Sequence, residues 1–336
     1  MNCPRLSICI PTYNFGRFIG ETLDSIIPQT TDEVEILVVD GASTDNTAEV
    51  VRRYQETCPR LYYYLLEKKG GIDHDMAKTV ELARGKYCWL FGADDLMEAG
   101  GIQRILEEIR NGFDICLCNR MEVDIDLTPI GVGRFLAPGT DSRTFRLSDP
   151  DALSLYFEKS NGIGAVFSYM TSIIFLREKW NAVENDQELI GTAYHHVYKL
   201  LSFRNHGCTL KYIKDPLVIS RMGNDSFAGT SLAKRVTLDI NAYSIISKKL
   251  FHDDPEIKRK FDAILEKEVL IHHLNSMARI IFLKVYSDPS DWKTMTRKIN
   301  DLYGFHFLLC LADLIPDSPI WDKAIQVLRK IFGRTN

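Results

Sequence analysis

The stretch Glu35-Ile36-Leu37-Val38-Val39-Asp40-Gly41-Ala42-Ser43-Thr44-Asp45-Asn46-Thr47 decides how this chain folds. Its Ile and Val run suits a parallel strand covered on both faces better than a strand with one wet face. The run stops at an acid and a string of small turn-forming residues. Helical spacing then starts over Asn46–Gln55, with Thr44 or Asp45 as its cap. Leu6–Ile10 repeats the pattern upstream and ends at Pro11, and Phe18, Leu23, Ile26 and Ile27 recur at helical spacing between the two runs. Downstream, Leu61–Leu66 reads as a third strand, Met76–Arg84 as a helix and Tyr87–Phe91 as a fourth strand. Strands alternating with helices predict an open α/β sheet. Such sheets bind ligands beyond the carboxyl ends of their strands, where Thr12–Asn14, Asp40–Asp45 and Ala93–Asp95 all fall.

The remaining chain is less regular. Ile115–Asn119 and Pro216–Ile219 read as strands, Thr128–Gly139 carries Gly and Pro, and helical spacing returns over Val236–Leu250 and Phe261–Val285. The pattern divides the chain into an α/β half over 1–115, a less regular half over 116–229, and a helical region over 230–336. Of the 336 residues 45% are apolar and 26% charged, a globular profile, and a formal net charge of −4 argues against a nucleic-acid partner. The eight cysteines lack the short paired spacings of a zinc site. Cys116 and Cys118 are placed to share one strand face in the core. Scattered thiols, together with an opening Met1–Asn14 that resembles no secretory leader, predict a cytoplasmic setting. Ile280–Val285 and Phe305–Leu311 fall short of the roughly 20 apolar residues of a membrane span.

Ser7–Asn14, Ile36–Thr47, Gly70-Gly71 and Ala83–Asp95 resemble the corresponding motifs of family 2 glycosyltransferases. Within that family, Gly71-Ile72-Asp73-His74-Asp75 and Trp89-Leu90-Phe91 look most like abequosyltransferases and their relatives in O-antigen assembly. The resemblance implies a GT-A fold: an open mixed sheet flanked by helices, with a helical C-terminal region. It also implies transfer from a nucleotide-sugar donor to a saccharide acceptor, lipid-linked in O-antigen synthesis, with inversion at the anomeric carbon. Asp94 and Asp95 then hold Mn2+ or Mg2+ against the donor diphosphate. The slot two residues before Asp94, where the family usually has another acid, is Gly92. The plain alternative for the acidic pair is a solvated turn capping the helix near Gly101.

The same resemblance gives Asp40 contacts to nucleobase or ribose, and gives Pro11, Thr12, Tyr13 and Asn14 a place around the base. Asp45 has a turn-capping role of its own. Asp73 and Asp75 read either as caps of the following helix or, with Lys78, as donor contacts. The family's acidic pair for proton abstraction is missing from Glu188–Val197, so the base is expected at His196, then Glu188, then His195. Arg221, in the stretch Ser220–Ser226, resembles a phosphate-pairing residue of a closing loop.

A dehydrogenase lacks its Gly-x-Gly-x-x-Gly signature here, and Tyr13–Arg17 does not resemble a pyrophosphorylase phosphate loop. The competing reading is a catalytically impaired relative that only binds nucleotide-sugar or glycan. From Ile320 to Phe332 apolar residues recur at helical spacing beside Lys323, Arg329, Lys330 and Arg334. That segment is expected either to pack on the body or to dock at the inner face of the cell membrane as a peripheral contact.

Overall fold

The computed structural model describes residues 3–224, 231–274 and 276–304. The C-terminal segment from Ile320, the Phe305–Leu311 run, and Asp225 and Ser226 of the expected closing loop lie outside the described residues. The chain forms two compact units. The first comprises Met1–Val123, Pro129–Ser160 and Gly164–Arg221, and the second comprises Asp124–Thr128, Asn161–Ile163 and the chain from Met222 on.

The first unit is built on one mixed sheet. Its strands are β1 (Leu6–Thr12), β2 (Val34–Asp40), β3 (Leu61–Leu65), β4 (Tyr87–Leu90), β5 (Leu96–Met97), β6 (Ile115–Val123), β7 (Pro129–Gly133), β8 (Arg143–Arg146), β9 (Ile173–Leu176) and β10 (Thr209–Arg221). The order is β3-β2-β1-β4-β9-β6-β10-β5, with β7 on β6 and β8 on β10. β1, β2, β3 and β4 are mutually parallel, and the antiparallel β9 joins them to the parallel pair β6 and β10. Every residue of β1, β2 and β4 is buried, the polar Ser7, Thr12, Glu35 and Asp40 included. Cys9 accepts the Phe91 N–H toward β4 through its carbonyl, so the nitrogen of Pro11 faces the same way, past the last rung Cys9↔Leu90. A residue without an N–H is tolerated there.

Helices α1 (Ile19–Ile26), α2 (Thr47–Gln55), α3 (Ile72–Leu82), α4 (Gly101–Asn111), α5 (Pro150–Lys159), α6 (Arg177–Ala182) and α7 (His195–Ser202) complete the first unit. The core joins Ile8, Ile36, Val38, Trp89 and Phe91 to Leu23 and Ile26 of α1 and Ile102 and Ile105 of α4. Cys116 and Cys118 are both fully buried in it, on one strand face. In the second unit α8 (Leu232–Phe251) packs with α9 (Pro255–Lys267), Phe251 and Phe261 meeting at 4.9 Å, and α10 (Met277–Val285) and α11 (Pro289–Tyr303) follow. Among the described residues no helix is long and apolar enough to cross a membrane.

The structure moves several boundaries. The helix expected over Met76–Arg84 starts four residues earlier at Ile72, after Gly71 turns the chain with φ 87°. Asp73 and Asp75 are therefore inside its first turn rather than ahead of it. Pro216–Ile219 is only the end of β10, whose register shifts around Pro216 broke the period visible in the sequence. Phe261–Val285 is not one helix, because a π-helical turn at Glu268–His273 separates α9 from α10.

The amino end of the sheet carries a buried acid. Glu35, 2% exposed, accepts Ser7 Oγ at 2.7 Å, the Arg84 backbone N–H at 2.7 Å and Arg84 Nε at 2.8 Å. Ser7 Oγ in turn accepts the Gly85 N–H at 2.8 Å. Glu35→Ala leaves those donors without an acceptor and should cost about 2–4 kcal/mol in urea unfolding. Nucleotide affinity of the folded variant should hold, since the ligand edge is at the other end of the strands.

Candidate active site

The carboxyl ends of β1, β2 and β4 converge as expected, and a web of short polar contacts shapes the ground between them. Asp40, fully buried, accepts the Ser43 N–H on Oδ1 and the Tyr63 hydroxyl on Oδ2, both at 2.7 Å. Ser43 Oγ accepts the Asn14 N–H and Asn14 Oδ1 accepts the Thr44 N–H, both at 2.8 Å. Asn14 and Ala42 sit at φ 60° and 66°, so both loops turn sharply at these contacts. Asp45 takes the Thr47 N–H at 3.0 Å and the Gly16 N–H at 2.9 Å, an Asx turn ahead of α2, whose N-cap is Asn46 rather than Thr44 or Asp45. Thr12 Oγ1 is buried with no hydrogen-bond partner, and the Thr12 carbonyl accepts the Gly41 N–H at 2.8 Å. Lys69 Nζ lies 3.8 Å from the centroid of the Tyr13 ring. Tyr63 and Lys69 were not singled out by motif, yet both face residues that were.

From α3, Asp75 comes against this edge. A methyl group on Gly41 would stand 2.4 Å from Asp75 Oδ2, so only glycine leaves room for the carboxylate. Burial raises the Asp75 pKa; His74, at 3.1 Å, works in the opposite direction and the neighbouring Asp40 adds to the rise. Lys78, expected beside Asp73 and Asp75, instead pairs with Glu81 at 2.7 Å on the outer face of α3.

Beyond β4 the two acids part company. Asp95, 5% exposed, accepts the Tyr169 hydroxyl at 2.6 Å and the Thr171 hydroxyl on Oδ2, and the Arg221 backbone N–H at 3.1 Å on Oδ1. Burial raises its pKa, and these donors only partly offset the rise. Asp94 is only half-buried, and its carbonyl accepts Arg221 Nε at 3.1 Å. The Arg221 side chain is itself buried, paired with Glu21 and lying 4.9 Å from the Phe18 ring centroid. Gly92 explains the missing acid. A Cβ there would stand 2.7 Å from Asp95 Oδ2 and 3.1 Å from Thr171 Oγ1, and the Gly92 N–H already donates to that hydroxyl at 3.0 Å. Neither acid caps α4, whose N-terminal residue Gly100 has no side-chain cap.

Among the described residues no three His, Cys, Asp or Glu side chains gather into a ready-made cation cage. A hard carboxylate at a strand end nonetheless fits Mg2+ or Mn2+, which take few protein ligands and complete their shell with phosphate oxygens and water. Asp94 supplies such a carboxylate.

A third group of residues lies around the start of α7. The Asp73 carboxylate, 5% exposed, accepts the Gly191 and Ala193 N–H groups at 2.8 Å on Oδ2 and the His195 N–H at 3.2 Å on Oδ1. Burial raises its pKa against the pull of those amides. Asp73 thus caps α7 from another helix and fixes the loop ahead of it. His196 is buried and its Nε2 donates to the Phe167 carbonyl at 2.9 Å, which puts the proton on Nε2. Its Nδ1 is buried without a partner, and burial lowers its pKa to about 4. His195 Nε2 accepts the Asp186 N–H at 3.3 Å. Glu188 is exposed on the loop, its N–H bound to Asp186 Oδ1 at 3.0 Å. Phe167, Tyr169 and Thr171 therefore belong to one segment that touches His196 at one end and Asp95 at the other. No spacing rule on either acid or histidine pointed to that segment.

The family model for glycosyl transferase family 2 matches residues 7–173. Abequosyltransferase RfbV of Salmonella typhimurium is 34% identical over 267 residues, 78% of this chain and 80% of that protein. Glycosyltransferase GlyG of Streptococcus pneumoniae is 23% identical over 248 residues, covering 73% of this chain and 79% of its own. Residues 1–349 of S. aureus TarS in complex with UDP superpose with a TM-score of 0.60 at 18% identity, over 89% of this chain and 80% of that one. The mannosyltransferase PcManGT of Pyrobaculum calidifontis, in complex with GDP-Man and Mn2+, gives 0.50 at 18% identity over 91% and 89%. These last two likenesses show the GT-A fold. With the strand-end motifs in place and a relative of this similarity along most of its length, the chain belongs to the family 2 glycosyltransferases and is a glycosyl-transferring enzyme.

Proposed function

We propose that this enzyme moves a sugar from a nucleoside diphosphate donor to a saccharide hydroxyl during O-antigen or related surface polysaccharide synthesis, with inversion and with help from a divalent cation. The observation that carries the reading is the convergence of Thr12, Asp40 and Asp94 on one sheet edge, with Asp75 brought against it. The similarity to an abequosyltransferase favours a deoxyhexose-type donor and an O-antigen acceptor. The same similarity extends the acceptor to a lipid-linked oligosaccharide and the enzyme's place to the cytoplasmic face of the membrane.

The roles follow from the chemistry of each group. Tyr13 and Lys69 offer the base a ring and a cation, and Thr12 Oγ1, buried without a partner, offers a hydrogen bond. Asp40 is held in one orientation by Ser43 and Tyr63, so it can accept from an imino or hydroxyl donor without reorganising. Asp94 would hold the Mg2+ or Mn2+, which neutralises charge on the departing diphosphate. Asp95 acts behind it as a positioning residue, since its oxygens already serve Tyr169, Thr171 and Arg221. Arg221 stands ready at the same turn, its guanidinium taken by Glu21 until a phosphate competes for it. His196 is the proposed base, because its Nδ1 is unprotonated and unpaired, and Asp73 anchors the loop that leads to it. Proton abstraction at Nδ1 frees the acceptor oxygen to attack opposite the diphosphate. Glu188 is the alternative acceptor of that proton.

Thermal shifts with CDP, UDP, GDP and dTDP, each with and without Mn2+, test the donor site. One nucleotide should stabilise the protein by about 2.7 kcal/mol at a hundredfold excess over Kd. Asp94→Asn should keep its Tm and lose the Mn2+-dependent part of that shift. Asp95→Ala should instead cost about 2–3 kcal/mol of stability, because buried hydroxyl and amide donors lose their acceptor. Retention of the full Mn2+ effect in Asp94→Asn, or failure of all four nucleotides to bind, rules the donor assignment out. Donor turnover separates an enzyme from an impaired binding protein.

The histidines give a pH test. His195 and His196 both titrate near about 4 in the folded protein, against 6.5 for the ordinary group, because burial disfavours the cation. The unfolded chain therefore binds more protons between those values, and stability falls as pH drops from 6.5 toward 4. The acid limb of kcat should lie near pH 4 to 5 and not near 6.5. His196→Asn should flatten the stability slope and lower kcat by about 100-fold or more with nucleotide affinity unchanged. An unchanged kcat in that variant, with Glu188→Gln inactive, assigns the base to Glu188.

A further inference from the structure

The end of β6 carries an ion pair that the donor site does not use. β6 is antiparallel to β9, which is antiparallel to β4, so its carboxyl end opens on the same edge as β4 and β1. There Arg120 Nε and Nη2 both donate to Glu122 Oε1, at 3.1 and 2.8 Å. Both bonds converge on one oxygen. Among the described residues, Glu122 Oε2 and Arg120 Nη1 are left without a protein partner. The two side chains point to one face of the strand and are 19% and 24% exposed.

The surroundings hold this pair still. The guanidinium lies 4.4 Å from the Tyr169 centroid and 5.4 Å from that of Phe135. A methyl group on Gly133 would stand 2.5 Å from Glu122 Oε1 and 2.9 Å from Arg120 Nε, so β7 runs directly against the pair. Tyr169 in turn donates to Asp95 at 2.6 Å, which ties the pair to the turn that carries Asp94.

We propose that Arg120 and Glu122 form the acceptor-side subsite of the glycosyl transfer described above, and that its ligand is a saccharide. Two neighbouring hydroxyls fit it, one donating to Glu122 Oε2 and the other accepting from Arg120 Nη1. The pair carries no net charge, so the carboxylate repels anions such as phosphates and the guanidinium repels cations. A neutral polyol satisfies both free positions at once, through charge-assisted hydrogen bonds to groups that need not reorganise. Arg120 and Glu122 bind and orient the acceptor, and the proton transfer belongs to another group. This inference rests on the glycosyltransferase reading and adds the residues that take the second substrate.

The test uses the full chain with Glu122→Gln and, independently, Arg120→Lys. Saturation-transfer NMR is run with methyl α-D-mannopyranoside, methyl α-L-rhamnopyranoside and methyl β-D-galactopyranoside, with Mn2+ and the stabilising nucleotide present. The wild-type protein should bind at least one glycoside, and each variant should weaken that binding by about tenfold or more. The nucleotide-induced thermal shift should stay as in the wild type. Equal glycoside signals in the wild type and both variants, or no glycoside bound by the wild type, overturn the subsite while the donor reading stands on its thermal shift.

Discussion

The carboxylate of Asp95 is the contact on which the active edge depends. It is buried after β4 and gathers the Tyr169 and Thr171 hydroxyls and the Arg221 N–H, so one side chain joins the β4 turn, the segment ahead of β9 and the end of β10. Burying a charge is costly, and the three donors recover part of that cost only if their own segments stay where they are. Asp94 inherits its position from this arrangement. So does Arg221, whose Nε meets the Asp94 carbonyl at 3.1 Å.

Asp73 plays a similar part farther along the edge. Its oxygens take N–H groups at Gly191, Ala193 and His195, so α3 sets the approach to α7. The next acid on the same helical turn, Asp75, reaches the opposite way, to Gly41. A single turn of helix thereby relates the Gly41 turn to the start of α7. These two contacts keep a fixed spacing between parts of the edge that come from distant segments.

Much of this was legible in the chain before any coordinates. Mostly apolar runs at Leu6 and Ile36 pointed to the parallel strands, and the polar residues after them pointed to the edge, because burial on both faces leaves strands few other forms. The Asx turn at Asp45 was legible because it involves only the next two residues. What stayed hidden was long-range. Whether Asp73 meets a ligand or a backbone loop depends on residues about 120 positions away, and no period in the first turn of α3 encodes that. Tyr169 and Thr171 sit in a short irregular segment with no motif around them. The pairing of Arg221 with Glu21 spans 200 positions and was equally invisible. The early start of α3 was missed because Ile72–Asp75 is mostly polar, and the decisive signal was the backbone of Gly71.

Gly92 has a consequence for how such a site can change over generations. Its Cβ position is filled by the Asp95 and Thr171 oxygens, so an acid there meets a neighbour before it meets a ligand. Shortening Thr171 would remove only the farther of these two contacts, and it would strip Asp95 of one donor and Gly92 of its acceptor. Each single step is penalised by the other residue. Positions 92, 95 and 171 therefore have to change together for an acid to stand at 92 without a clash or a lost hydrogen bond.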